Sequence, residues 1–231
     1  IYSGESMNAV FLDEGTKRWK RGEYPEGHPP YEPDFGLFPD DFYLASYCKG
    51  TGIAHRFMPN IIKWNPRWPP RDAEFDRRWF AKHRDELVAS TRAMMARMLA
   101  MDVPLWRTRL DTRTYDRAML AFQQYFGGFV PPVNHIGPWT PEAIRTNDPA
   151  NERIYVGAYT RPKRKGFVLV VSNWGREAVT ETVRLNFDGV GTGLDRVTGA
   201  MNMEKNAPVK HDDRSVTVDL PANDYRLIWV E

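Results

Sequence analysis

The chain has 231 residues, 42% of them hydrophobic, with 32 basic and 30 acidic side chains and a formal charge of +2. That is the composition of a globular protein long enough to bury one large core or two modest ones. The interspersed charges exclude the basic face of a nucleic-acid binder, no apolar run reaches the ~20 residues of a membrane span, and a single cysteine, Cys48, excludes an internal disulfide framework or a cysteine zinc site.

From Ile1 to Val10 the chain reads as a strand that turns at Gly4, so it opens inside an element. The expectation is that an N-terminal part of the same protein lies upstream; the compartment stays open, a secreted or periplasmic one being compatible. A passage rich in proline and glycine, Asp13 to Pro39, follows as a loop, because proline removes a donor and glycine weakens regular elements. Its five aromatics (Trp19, Tyr24, Tyr31, Phe35 and Phe38) argue against plain disorder.

Asp40 to Cys48 reads as a short helix and Ile53 to Met58 as a second strand, ahead of a proline-broken loop carrying Trp64 and Trp68. The clearest helix runs from about Asp72 to Met101. Its apolar residues fall largely on one stripe, and its four methionines (Met94, Met95, Met98 and Met101) read as core filler. Val103 to Trp106 is a third strand. Thr112 is expected to cap a helix from Thr114 to Phe126 that stops at Gly127-Gly128.

Strand alternating with helix is the signature of parallel βα units, and three parallel strands cannot cover both faces of a sheet. Residues 1–130 are therefore expected to be the last βα units of a (β/α)8 TIM barrel whose earlier units precede them. Residues 131–151, with five prolines, read as a connector. Residues 152–231 read as an antiparallel β-sandwich, making the whole α/β plus all-β. Its strands are Ile154 to Thr160, Phe167 to Asn173, Ala178 to Phe187, Ser215 to Leu220 and Tyr225 to Val230. Arg184, Asn186 and Asp188 alternate with Val183, Leu185 and Phe187, the pattern of a sheet with one wet face, and no helix is needed there. The basic run Arg161 to Lys165, broken by Pro162, reads as a solvated hairpin turn.

On a barrel, chemistry gathers on loops after the strands. Glu5 sits at the first such place, with Tyr2 before it and Asn8 close behind. There a carboxylate serves as acid, base or nucleophile, or else caps and pairs structurally. The second place offers Asn60 to hydrogen-bond a sugar hydroxyl, and Trp64 and Trp68 as stacking platforms or as clamps on the loop. The third offers Arg107, Arg109 and Asp111, as a binding cluster or as structural ion pairs. No phosphate loop, dinucleotide fingerprint, HExxH or G-x-S-x-G elbow is present. Carboxylates plus aromatics fit carbohydrate chemistry, with no metal or cofactor expected.

The order Tyr2-Ser3-Gly4-Glu5, Pro39-Asp40-Asp41-Phe42-Tyr43, Gly52-Ile53-Ala54, Phe57-Met58-Pro59 and Asn134-His135-Ile136-Gly137-Pro138-Trp139 resembles the C-terminal half of large barrel glycosidases. In particular it is similar to proteins like glycoside hydrolase family 123; the tail, Leu220-Pro221-Ala222-Asn223-Asp224-Tyr225-Arg226-Leu227, is generic to β domains that follow such barrels. The resemblance implies cleavage of a glycosidic bond in an oligo- or polysaccharide. An N-acetylhexosaminide would be cleaved by attack of its own acetamide, with a neighbouring Glu protonating the leaving oxygen. Apart from Asp85-Glu86 inside the long helix, Asp13-Glu14 is the only Asp-Glu dipeptide ahead of the β segment. On this resemblance the acid/base pair belongs upstream and the chain lines the sugar pocket. The alternative is a non-catalytic carbohydrate-binding or scaffolding protein on a degenerate barrel.

Overall fold

A computed structural model describes residue 81 and residues 84–102, 110–129, 132–138, 140–146, 153–162 and 164–231. The strands expected before residue 107, the proline-rich loop and the helix from Asp40 lie outside these residues, as do residues 72–80 and 82–83 of the helix expected from Asp72.

Helix α1 (Arg84–Ala100) carries Asp85 and Glu86 in its first turn and Arg97 in its last, which complements the helix dipole at both ends. Helix α2 (Thr112–Phe126) is capped by Asp111, not by Thr112: one carboxylate oxygen of Asp111 accepts from the Thr114 backbone N–H at 2.8 Å and from the Thr114 hydroxyl at 2.6 Å. Aspartate satisfies an orphan donor and also meets the positive helix end, which threonine cannot. Gly127 and Gly128 stop the helix as expected, with φ of +80° and +73° that cost a glycine nothing.

Among the described residues, ten strands form two antiparallel sheets. The first, sheet A, has the order β1-β3-β4-β10-β6-β7 and sheet B the order β2-β5-β9-β8. In chain order they are β1 (Asn134–Ile136), β2 (Ile144–Thr146), β3 (Ile154–Thr160), β4 (Phe167–Asn173), β5 (Val179–Leu185), β6 (Ala200–Asn202), β7 (Ala207–Pro208), β8 (Lys210–Asp212), β9 (Ser215–Leu220) and β10 (Asp224–Val230). The expected connector thus sends one short edge strand to each sheet, β1 to β3 and β2 to β5.

Strand period sorts the side chains of β4 into two cores. Phe167, Leu169 and Val171 face sheet B, where Val183, Leu185, Val216 and Val218 meet them. Val168 and Val170 point the other way, with Tyr159, Tyr225, Leu227 and Trp229, into a second core closed by Met94, Met95, Met98, Leu99, Phe122 and Phe126 of the helices. All seven residues of β4 are buried. Each such aliphatic or aromatic side chain contributes roughly 1.5–3 kcal/mol. The layers are therefore helices, sheet A, sheet B. The single wet face expected of the β region belongs to sheet B alone, where Thr180 bonds Asp219 at 2.7 Å and Thr182 meets Thr217 at 2.9 Å.

Two expectations need correction. The strand expected to reach Phe187 ends at Leu185, and Phe187–Val190 forms a helical turn, α3. Gly189 presses on Ala143 there, where a Cβ would come within 2.8 Å of its Cα. The basic run 161–165 is not merely solvated. Arg161 donates to the carbonyls of Phe126 (2.9 Å), Gly127 (3.2 Å) and Gly128 (2.8 Å), and Arg164 to those of Phe126 (2.8 Å) and Tyr125. The β3–β4 hairpin thereby satisfies the orphan carbonyls at the end of α2 with cations, the sign that the helix C-terminus favours.

Candidate functional site

Of the residues that the sequence singles out, Tyr2, Glu5, Asn8, Asn60, Trp64, Trp68 and Arg107 lie outside the described residues. Asp111 is described, as the cap of α2; its own N–H donates to Thr91 Oγ1 of α1 at 2.8 Å, so it ties the two helices together. The charge cluster Arg107–Arg109–Asp111 is described only at Asp111.

The densest polar cluster among the described residues lies where α1 meets β10. Arg92 of α1 donates through Nε to Asp224 Oδ1 (2.5 Å), and its two terminal nitrogens fork onto Glu204 at 3.1 and 3.3 Å. One of those nitrogens also reaches the Tyr225 carbonyl at 3.2 Å, and the guanidinium lies 4.5 Å over the Tyr225 ring. Arg226 holds the second oxygen of Asp224 at 2.9 Å, and the Tyr225 N–H holds the first at 2.8 Å. The Tyr225 hydroxyl points at Glu204 from 3.4 Å and at the Met95 sulfur from 3.6 Å. One turn along α1, buried Arg97 donates to Asn223 Oδ1 at 3.2 Å and lies 5.1 Å from the Trp174 ring, which itself stacks on Tyr155 at 3.9 Å.

Two arginines and two carboxylates make this cluster neutral. Burial by itself would lower the Arg92 guanidinium, but the carboxylates of Glu204 and Asp224 outweigh it and hold the group above its usual value. Burial pushes the Tyr225 phenol well up, and the neighbouring Glu204 adds to that, so it is a neutral hydroxyl across the physiological range. Both carboxylates are saturated by cations and N–H donors, an arrangement suited to locking a helix onto a sheet rather than to moving a proton. Sequence reading passes over it because Arg92, Glu204 and Asp224 are more than a hundred positions apart. The one signal available was a pair of arginines, Arg92 and Arg97, inside the otherwise apolar, methionine-rich second half of the helix.

A second buried feature is His135 of β1, part of the Asn134-to-Trp139 motif. Its ring lies 4.8 Å from that of Tyr159 and over Gly157, where a Cβ would fall 2.9 Å from both His135 Nε2 and the Ala100 carbonyl. Only glycine lets β3 approach the end of α1 so closely. Among the described residues no group of three or more His, Cys, Asp or Glu could hold a metal ion, and no helix is long and apolar enough to cross a membrane.

No protein-family model and no curated protein matches the chain. Solved structures similar to it are glycosidases. A GH27 β-L-arabinopyranosidase from Geobacillus stearothermophilus aligns at 11% identity and a TM-score of 0.48 over 83% of this chain and 41% of its own. α-Galactosidase I from Mortierella vinacea aligns at 16% identity and 0.39 over 62% and 35%, and a GH30 endoxylanase from Clostridium papyrosolvens at 16% and 0.37 over 62% and 37%. The chain therefore spans well under half the length of these proteins.

Proposed function

We propose that the chain belongs to a glycoside hydrolase-like protein that cleaves a glycosidic bond in an oligo- or polysaccharide, and that its sandwich is the support on which a barrel rests. In this reading residues 1–130 contribute the last βα units of a (β/α)8 barrel. Glu5 stands in or near the catalytic set, Tyr2, Asn8, Asn60, Trp64, Trp68 and Arg107 line the sugar site, and an N-acetylhexosaminide is the substrate. Asp111 is assigned to the start of α2, since capping accounts for its carboxylate.

The observation that carries the supporting role is the covered outer face of sheet A. Eight consecutive residues of α1, Ala93 to Ala100, are buried, so this half of the helix keeps no solvent-facing stripe. The hydrolytic role draws on the sequence: carboxylates and tryptophans on strand-end loops, without the signature of a competing chemistry.

The test is turnover of a panel of aryl glycosides, N-acetylgalactosaminides among them, by the full-length protein and its Glu5→Gln variant. The expected result is hydrolysis that Glu5→Gln abolishes. Hydrolysis unchanged in the variant would return Glu5 to structure, and polysaccharide binding without turnover on any substrate would overturn the enzymatic reading in favour of a binding protein.

A further inference from the structure

We propose that the turn between β6 and β7, Met203-Glu204-Lys205-Asn206, is a clasp that holds α1 and α2 on sheet A as one unit, so that the two helices loosen together when it lets go. The strands it joins are three and two residues long, at the edge of the sheet. A hairpin that short does not hold itself together. What holds it is its partners. On one side it is anchored to the sandwich, β6 pairing with β10 and Met203 N donating to the Leu227 carbonyl at 2.9 Å.

On the other side, three of its four residues are committed to the helical layer. Met203 is buried in the core between sheet A and the helices. Glu204, its side chain 6% exposed, receives the fork of Arg92 from α1. Asn206, in the left-handed region at φ +49°, accepts from the Tyr125 hydroxyl of α2. One turn thus touches both helices through different residues. The helices are also tied directly, by Asp111 N on Thr91 Oγ1 at 2.8 Å, and Thr91→Val removes that tie, so each variant below is also made in the Thr91→Val background, where the clasp requires the same joint response.

Native-state hydrogen exchange on the full chain tests this with Glu204→Ala, which removes the contact to α1, and Asn206→Gly, which removes the contact to α2 while keeping a residue at ease at positive φ. Losing a hydrogen bond to a charged group predicts faster exchange by about tenfold or more in Glu204→Ala. The clasp requires that α2 amides also accelerate in Glu204→Ala and α1 amides also in Asn206→Gly, while Val168 to Val171 of β4 keep their protection. Acceleration of α1 alone in the first variant and α2 alone in the second, or no change in either, would overturn the clasp. If Glu204→Ala also exposes β4, the milder Glu204→Gln and the Asn206→Gly comparison decide by the same criterion.

Discussion

Replacing Arg92 by methionine removes the centre of the α1–β10 cluster while keeping an unbranched apolar stem in its place. Removing one partner of a buried pair costs about 3–5 kcal/mol. Arg92 retains 24% side-chain exposure, which solvent screening discounts to about 2–4 kcal/mol. The loss is not shared evenly. Asp224 keeps Arg226 at 2.9 Å and the Tyr225 N–H at 2.8 Å. Glu204 keeps only the Tyr225 hydroxyl at 3.4 Å, beyond normal O–H···O length. Most of the cost is therefore a stranded Glu204 charge, and Glu204→Gln in the Arg92→Met background should recover about 1–2 kcal/mol although it is destabilising on its own. Urea unfolding of the four proteins, compared at a common m-value, measures the coupling. A loss below about 0.5 kcal/mol in Arg92→Met, or strict additivity of the two substitutions, would refute the reasoning.

Gly157→Ala pushes a methyl group to 2.9 Å from the Ala100 carbonyl and from His135 Nε2, and should cost about 1–3 kcal/mol. Calorimetry should show a midpoint roughly 2–12 °C lower; an unchanged midpoint would mean that α1 and β3 separate freely at this contact. Tyr225 is held above its ordinary value by burial and by Glu204, so the folded state keeps its proton where the unfolded chain has lost it. Its contribution is then fully present below about pH 10, the unfolded value, and falls as pH rises from there through the folded value. Thermal midpoints followed from neutral to strongly alkaline pH should fall less steeply in Tyr225→Phe than in the parent; parallel curves would contradict the assignment.

The long strands were legible because each carries enough β-branched and aromatic residues to fix its type. β3, β4 and β9 run over the residues that the sequence marks, and β10 begins one residue earlier. The end of α2 was legible too, since two successive glycines leave a helix little choice. The short strands β1, β2, β6, β7 and β8 were not, because two or three residues show no period and their pairing is decided by neighbours distant in sequence. Charge misled at the β3–β4 hairpin. Arg161 and Arg164 look like solvated turn residues until the end of α2 is brought against them. Of the expected pocket only Asp111 can be placed, and the local run Asp111-Thr112-Arg113-Thr114 already held the reason: an aspartate directly before the first helical residue is a cap as readily as a ligand.

The change in composition near residue 131 marks a change of secondary structure rather than the edge of a core. β4 is buried along its whole length because it divides two cores, one shared with sheet B and one with the helices that precede the sandwich in sequence. Tyr159, Val168, Val170, Tyr225, Leu227 and Trp229 would form one contiguous apolar surface without α1 and α2. Such a surface is paid for only if its cover is permanent. The cover is fastened accordingly, at four separate places: Arg92 on Glu204 and Asp224, Asn206 on Tyr125, the arginines of the β3–β4 hairpin on the end of α2, and Gly157 beneath the last turn of α1. The helices are thus integral to the sandwich, and whatever α1 touches on its remaining sides is held in register with sheet A through it.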